Sequence, residues 1–192
     1  MRLTTTSRMP ILAPNPRQIP STPHPSAIMV CKKGKLVTAD TQNSAAHLDR
    51  LRHVYEFLQS ESTLVLSTLG DDSLPHSAPL FYLVSHPLDL FWLSSADSAH
   101  SRNLRTTPAA SVAVFRSTFQ WQQIAGVQMR GLCSVVDEND RPGILSTYCK
   151  RFQLGSLLSL AIARSKLHRF RPNWLRYTDN HKRFGFKFEL DL

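Results

Sequence analysis

Apolar residues recur at two different spacings along the chain, and each change of spacing marks a boundary between predicted elements. Between Ser44 and Gln59 they return every three or four positions, which predicts an amphipathic helix with Ser44 as its N-cap. Residues 63–70, 74–85 and 88–94 are rich in strand-forming side chains and predict a meander of three antiparallel strands. Two prolines in the second of these strands favour an edge location for its first half.

The rest of the chain predicts four further strands and three helical segments. The expected elements are a short helix at 99–105, a fourth strand at 109–115, a fifth strand at 124–138, two helical segments within 138–165 that separate near Gly155, and two final strands at 166–180 and 183–192. This order of elements predicts an α+β fold built on an antiparallel barrel.

Length and composition fit one soluble domain with a sizeable core. The chain has 192 residues, of which 42% are hydrophobic and 19% are charged. Its most apolar segment, Leu154 to Ala163, is shorter than the roughly 18 residues needed to cross a bilayer. We therefore expect a buried helix there and no membrane partner. Three cysteines without CxxC spacing and eight scattered histidines predict a reducing, cytoplasmic location and no metal site.

The N-terminal segment carries most of the net positive charge. Residues 1–39 contain six basic and no acidic side chains, against a net charge of +9 for the whole chain. The remainder is only mildly basic, so the sequence predicts no nucleic-acid partner. Six prolines among the first 25 residues predict a disordered tail over 1–43, followed by a folded domain over 44–192. We favour an inert tail; a transit peptide, a secretory signal and a true start at Met29 stay open as alternatives.

A polar stretch, SSADSAHSRNL, follows the apolar third strand and has the composition of an anion site. Ser98 is placed to cap the short helix, whose first N–H groups attract anions such as phosphate. Arg102 offers a guanidinium for a bidentate contact. His100 is mostly neutral at neutral pH and is a weaker anchor than a lysine, so binding is expected to strengthen as the pH falls. The alternative is a capped helix with a solvated arginine and no ligand.

Three stretches carry a resemblance to a known family: SSADSAHSRNLRTTPAASVAV after the third strand, GVQMRG in the fifth, and WLRYTDNHKRFGFKFEL in the last two. Over residues 44–192 the chain resembles the pyridoxamine-5'-phosphate-oxidase-like FMN-binding split barrels, and most of all a small uncharacterised bacterial branch. The resemblance implies a split barrel of six to seven strands, with an N-terminal helix and two helical segments before the last strands. It also implies a homodimer that holds FMN between its subunits. The implied cofactor contacts are Ser94, Ser95, His100, Ser101, Arg102 and Asn103 at the phosphate, and Gln128 at the flavin ring.

Trp174 stands among arginines in the penultimate predicted strand, and its flat face makes it a candidate to wall a flavin or substrate pocket. A position in the core or the dimer interface is the alternative. The expected function is that of an FMN-dependent oxidoreductase with a small-molecule redox substrate, in which the flavin itself supplies the redox chemistry. His100 stands where many members carry a lysine, and no Arg/His pair is evident in 183–192, so pyridoxamine-phosphate oxidation is not expected. A non-catalytic flavin- or haem-binding module and a deazaflavin-dependent reductase remain alternatives.

Overall fold

The computed structural model describes residues 30–32, 35–37, 39–155 and 158–192, with side chains from residue 44 onward apart from 156–157. The chain divides into two units, residues 1–41 and 42–192. In the first unit, strands β1 (Val30–Lys32) and β2 (Lys35–Val37) form an antiparallel pair. Most of the predicted disordered tail lies outside the described residues, so that interpretation stays a prediction.

In its described residues, the second unit combines one antiparallel sheet with four helices, the first of which begins three residues before the unit does. The helices are α1 (Ala39–Ser60), α2 (Ala99–Thr106), α3 (Arg141–Arg151) and α4 (Ser159–Arg164). The strands are β3 (Thr63–Leu69), β4 (Pro75–Phe81), β5 (Leu83–Ser85), β6 (Asp89–Ser95), β7 (Ala109–Phe115), β8 (Ala125–Val135), β9 (Ser165–Asp179) and β10 (Lys187–Asp191). A single 3-10 turn at Trp121–Gln123 precedes β8.

The eight strands follow the order β4-β3-β7-β8-β9-β6-β5, and β10 lies beside β9. The long strand β9 pairs with β8 along one side. Its other side is shared, because its first half pairs with β6 and its second half with β10. A bulge between Arg130 and Gly131 breaks the β8–β9 register at the middle of the long strand. This arrangement confirms the predicted α+β split barrel.

The sheet curls so that its two edges meet at Tyr82. Strands β4 and β5 stand at opposite ends of the strand order, yet only this residue separates them in the chain. Its side chain is fully buried, and its hydroxyl donates a hydrogen bond of 2.6 Å to the carbonyl of Leu58 at the end of α1. The expected second strand, 74–85, is interrupted at Tyr82 and forms β4 and β5. These pair antiparallel with β3 and with β6, as the meander predicts, and β6 has a second partner in β9. The edge position expected for the proline-bearing β4 is confirmed.

The core lies inside the curled sheet, under α1. Alternate residues of β3, β7 and β8 point inward, and Trp92 of β6 is fully buried among them. Helix α1 covers the barrel with Val54, Phe57 and Leu58, all of which are buried. The core thus occupies the concave side of the sheet, and the convex side of β3, β7 and β8 faces outward.

Two helix predictions need correction. Helix α1 begins at Ala39, so Ser44 lies inside the helix and does not cap it. Among its described residues, the apolar segment that was expected to form a buried helix is α-helical only within Ser159–Arg164, and Leu158 and Leu160 are exposed. Apolar composition predicts burial only where a partner surface exists, and none of the residues described within 42–192 covers these leucines. No helix in the described part of the chain is long and apolar enough to span a membrane.

Candidate functional site

Strict alternation along β8 places a polar row on the outer face of the sheet. Val127 and Met129 are buried, whereas Gln128 and Arg130 are exposed, as the sequence pattern predicts. The strand register sets Arg130 between Ser111 of β7 and Trp174 of β9. Side chains from three strands therefore meet at one place on this face.

Two adjoining grooves occupy this outer face, with volumes of about 750 and 500 Å³. We call them the sheet-face grooves. Both are lined by Ser67, Ser111, Arg130 and Trp174. The larger groove adds Thr68, Leu69, Pro75, Ala109, Ala110, Gly131, Leu132, Asn173 and Asp191. The smaller groove adds Val112, Ala113, Gln128, Met129, Arg176 and Glu189.

The indole of Trp174 is the flat surface of both grooves. The guanidinium carbon of Arg130 lies 4.4 Å from the indole centroid, and that of Arg176 lies 5.5 Å from it. Arg176 is neutralised by Glu189, whose carboxylate lies 2.8 Å from its Nη2. Among the described residues, no carboxylate lies within 4 Å of the Arg130 guanidinium. A flat ring with an anionic group is the ligand that suits this pair of side chains.

A second cluster lies where β6 ends and α2 begins; we call it the α2 corner. Ser98 caps α2, because its hydroxyl accepts the N–H of Ser101 at 3.2 Å. The Ser98 hydroxyl also lies 3.0 Å from the Ser94 hydroxyl and 2.8 Å from the Ser101 hydroxyl, so three hydroxyl groups form a hydrogen-bonded chain. The predicted cap and the extent of this helix are confirmed.

Two histidines terminate this chain of hydroxyls. His100 Nε2 lies 2.7 Å from the Ser94 hydroxyl, and His168 Nε2 lies 3.2 Å from that of Ser101. Burial lowers the pKa of His100, and burial together with the neighbouring His100 lowers the pKa of His168 to about 4. Both rings are therefore neutral at pH 7 and bind an anion only through hydrogen bonds.

Arg102 is an exposed cation at the α2 corner, and Arg105 of the same helix donates to the carbonyl of Ala96 at 2.8 Å. Arg102 donates to the backbone carbonyl of Asp97, which keeps its guanidinium beside the start of the helix. Ser95 is exposed at the end of β6, and its hydroxyl accepts the N–H of Asp97 at 3.2 Å. These groups can supply a positive charge and hydroxyl donors to an anion there.

Asn103 connects the α2 corner to the sheet. Its side-chain amide donates to the Thr68 hydroxyl at 3.0 Å, and both side chains are buried. Thr68 also lines the larger sheet-face groove. Asn103 thus holds α2 against β3, with its amide already engaged.

The structure separates the predicted site residues into two groups. Gln128 and Trp174 meet in the sheet-face grooves, where Trp174 is only partly buried and so is not a core residue. The other six lie at the α2 corner and line neither groove: Ser94, Ser95, His100, Ser101, Arg102 and Asn103. Sequence reasoning misses Arg130 and Ser111, although alternation with the apolar neighbours puts both on the outer face.

The curled antiparallel sheet and its outer grooves define a split-barrel protein. A family model described as pyridoxamine 5'-phosphate oxidase matches residues 51–179, which is more than half of the chain. The chain belongs to this family. No curated protein matches it.

Three solved structures show the same fold at low sequence identity. The conserved hypothetical protein Rv2991 from Mycobacterium tuberculosis is 20% identical with a TM-score of 0.61, and the match covers 68% of this chain and 85% of that one. A heme binding protein from Mycobacterium smegmatis is 16% identical with a TM-score of 0.59, over 70% of this chain and 54% of that one. HutZ, a heme storage protein from Vibrio cholerae, is 20% identical with a TM-score of 0.53, and the match covers 63% of this chain and 88% of that one.

Proposed function

We propose that this protein binds FMN at the outer face of its sheet, in a homodimer, and uses it to oxidise or reduce a small molecule. The observation that carries the proposal is the meeting of Trp174, Arg130 and Gln128 in the sheet-face grooves. The indole offers a flat face for a ring, the guanidinium a charge, and the amide a donor and an acceptor. These are the groups that an isoalloxazine ring with its polar edge requires.

The α2 corner is our candidate for the phosphate end of the cofactor. Arg102 supplies a charge, and Ser95 supplies an exposed hydroxyl. His100 takes the place of a lysine and is neutral, so a phosphate is held there by one arginine and by hydrogen bonds. Since neither sheet-face groove includes these residues, the second subunit has to complete the site that connects ring and phosphate.

The outer face of the sheet also has the composition of a subunit interface. Leu69, Phe115 and Leu132 are 48%, 59% and 57% exposed on it. Between them lie the small residues Ala109 and Ala113, which allow another flat surface to approach closely. A second copy of the chain seated on this face would bury these residues and enclose the grooves.

Haem is the competing cofactor, because two of the proteins that share this fold are described as haem-binding or haem-storage proteins. Haem iron takes a His, Cys, Met or Tyr ligand from the protein. No described His, Cys or Tyr side chain lines either sheet-face groove, and Met129 is 1% exposed. The lining of the two sheet-face grooves therefore favours a flavin over a haem.

When bound, FMN supplies hydride or electron transfer at its ring. The chain's own residues bind and orient the ring and exclude water from it. Within the grooves, Asp191 and Glu189 are the only described carboxylates, and Glu189 is neutralised by Arg176. We therefore assign no general acid or base, and the substrate class is a small redox-active molecule.

The first experiment is the absorption spectrum of the purified full chain, before and after addition of FMN. Flavin bands that bleach anaerobically with NADPH support the oxidoreductase, whereas flavin bands that do not bleach support a binding module. A Soret band identifies haem and overturns the flavin assignment. A monomer by light scattering, with no affinity for FMN, removes the proposal entirely.

Matched variants separate the two ends of the cofactor. Arg102→Ala should weaken FMN roughly 10- to 100-fold through loss of one charge-assisted bond, and should leave riboflavin, which lacks the phosphate, unchanged. Trp174→Ala should weaken both ligands. Arg164→Ala, an exposed arginine of α4 outside the grooves, is the control. If Arg102→Ala lowered the affinities for FMN and riboflavin equally, the phosphate would not bind at the α2 corner.

A further inference from the structure

A groove between α1 and α3 has the features of a second ligand site; we call it the α1–α3 groove. It has a volume of about 740 Å³, within the range of roughly 300–1,000 Å³ that small-molecule sites occupy. Strand β5 and Phe91 of β6 form its floor. It shares no residue with the sheet-face grooves, so the proposed flavin site does not account for it. Its lining residues are Tyr55, Gln59, Leu83, Val84, Ser85, His86, Phe91, Gly143, Ile144, Thr147, Lys150 and Arg151.

The walls of this groove are held in place by bonds between elements. The Arg151 guanidinium donates to the carbonyls of Gln59 and Glu61 at 2.8 and 2.9 Å, which ties α3 to the end of α1. The hydroxyl of the buried Tyr148 donates to the carbonyl of Phe81 at 3.0 Å, which holds α3 against the end of β4. The groove is therefore formed before any ligand arrives, and binding need not order it.

The charge of the lining has one sign. Lys150 and Arg151 are basic, and none of the lining residues is acidic. Arg151 is engaged with backbone carbonyls, whereas no carboxylate among the described residues lies within 4 Å of the Lys150 ammonium. The groove therefore offers one uncompensated cation beside an apolar floor.

Flat side chains line the other wall. Tyr55 and His86 stack with their ring centroids 4.0 Å apart and their planes at 17°. Phe91 and Ile144 add apolar surface to the same groove, which Ser85 also lines. An aromatic ring suits this surface, because aromatic pairs gain from stacked and edge contacts beyond their buried area.

We propose that the α1–α3 groove binds a small aromatic carboxylate, with the carboxylate at Lys150 and the ring against Tyr55, His86 and Phe91. The site is separate from the flavin site and does not depend on it. The proposal assigns the groove a ligand and no reaction.

The test compares two probes of the same shape. 2-Naphthoate carries the negative charge, and 2-naphthamide lacks it. Calorimetric titration of the full-length protein should show naphthoate binding at least about tenfold more tightly, because only the carboxylate forms a charge-assisted bond. Lys150→Met should remove that difference, and Lys150→Glu should reverse it. Lys187→Glu, the same change at an exposed lysine of β10 outside the groove, should bind as the wild type does.

Lys150 is exposed, so both substitutions are expected to leave the fold intact, and far-ultraviolet circular dichroism checks this. Equal affinity of the wild type for the two probes would overturn the proposal. So would naphthoate binding that survives Lys150→Glu, since it would then occur elsewhere. Absence of naphthoate binding at millimolar concentration would also overturn it. Prior saturation with FMN should not change the result, which distinguishes this groove from the sheet-face grooves.

Discussion

Protonation of the buried His168 should weaken the fold in mild acid. The ring is 4% exposed, stacks on Trp92 with centroids 5.5 Å apart, and has a pKa lowered to about 4 from 6.5. Because the folded pKa lies below the unfolded one, the unfolded chain binds the proton more tightly. Stability is then complete above the unfolded pKa and declines as the pH falls from about 6.5 towards 4. Between about pH 8 and pH 5 this single group removes about 2 kcal/mol of unfolding free energy.

The assay is urea unfolding followed by tryptophan fluorescence at these two pH values and constant ionic strength. His168→Phe is the informative variant, because phenylalanine can keep the stack on Trp92 and cannot take up a proton. At pH 8 the free energy of unfolding of this variant should be about 1 kcal/mol below that of the wild type, because the hydrogen bond to Ser101 is lost. Between pH 8 and pH 5 the free energy of unfolding should then fall by about 2 kcal/mol less in the variant than in the wild type. His53, whose pKa is also lowered by burial, remains in both proteins and cancels in this comparison; the neighbouring His100 loses only the repulsion from a protonated His168. Equal acid losses in the two proteins would refute the reasoning.

Three further substitutions test the framework of the barrel by thermal or urea unfolding. Gly131→Ala should destabilise strongly or abolish folding, because a Cβ there would lie 2.1 Å from a backbone carbonyl of β9; Gly143→Ala, with nothing within 4 Å, is the control and should unfold no more easily than the wild type, because alanine favours helix α3. Tyr82→Phe should cost about 1–3 kcal/mol, since it leaves the buried carbonyl of Leu58 without its hydroxyl partner; an unchanged midpoint would contradict that role. Ser98→Ala should cost about 1 kcal/mol through loss of the α2 cap, and a cost near zero would show that the cap is dispensable.

Local pattern predicts the elements of this protein better than their pairing. Alternation along β8 correctly gives the exposed face of Gln128, and a serine before a short polar helix correctly gives the cap at Ser98. The expected pairs between neighbouring strands are present, but the second partner of β6 is not predicted, because it lies far away in the chain. β6 joins β9 through pairs such as Trp92 with His168, and nothing local to residue 92 encodes that partner.

The candidate site shows the same division. Side chains on one strand can be assigned to a face from spacing alone, which is why Gln128 is found and why Arg130 could have been. The sheet-face grooves form only because Ser111 of β7 and Trp174 of β9 pair with Arg130. This register is set when the whole sheet assembles, so spacing along one strand does not predict it. The α2 corner is contiguous in sequence, so most of its members are predictable, but its bond to His168 spans 67 positions and is not.

The sharing of β9 among three strands has a consequence for synthesis on the ribosome. β6 ends at Ser95 and β8 at Val135, yet the strand that both require begins only at Ser165. At translation rates of about 5–20 residues per second, the nascent β6 waits roughly 4–14 s for its partner. During that interval β6 and β8 each present an open edge to other polypeptides. The nascent chain is therefore open to non-native strand pairing until its last segment has emerged.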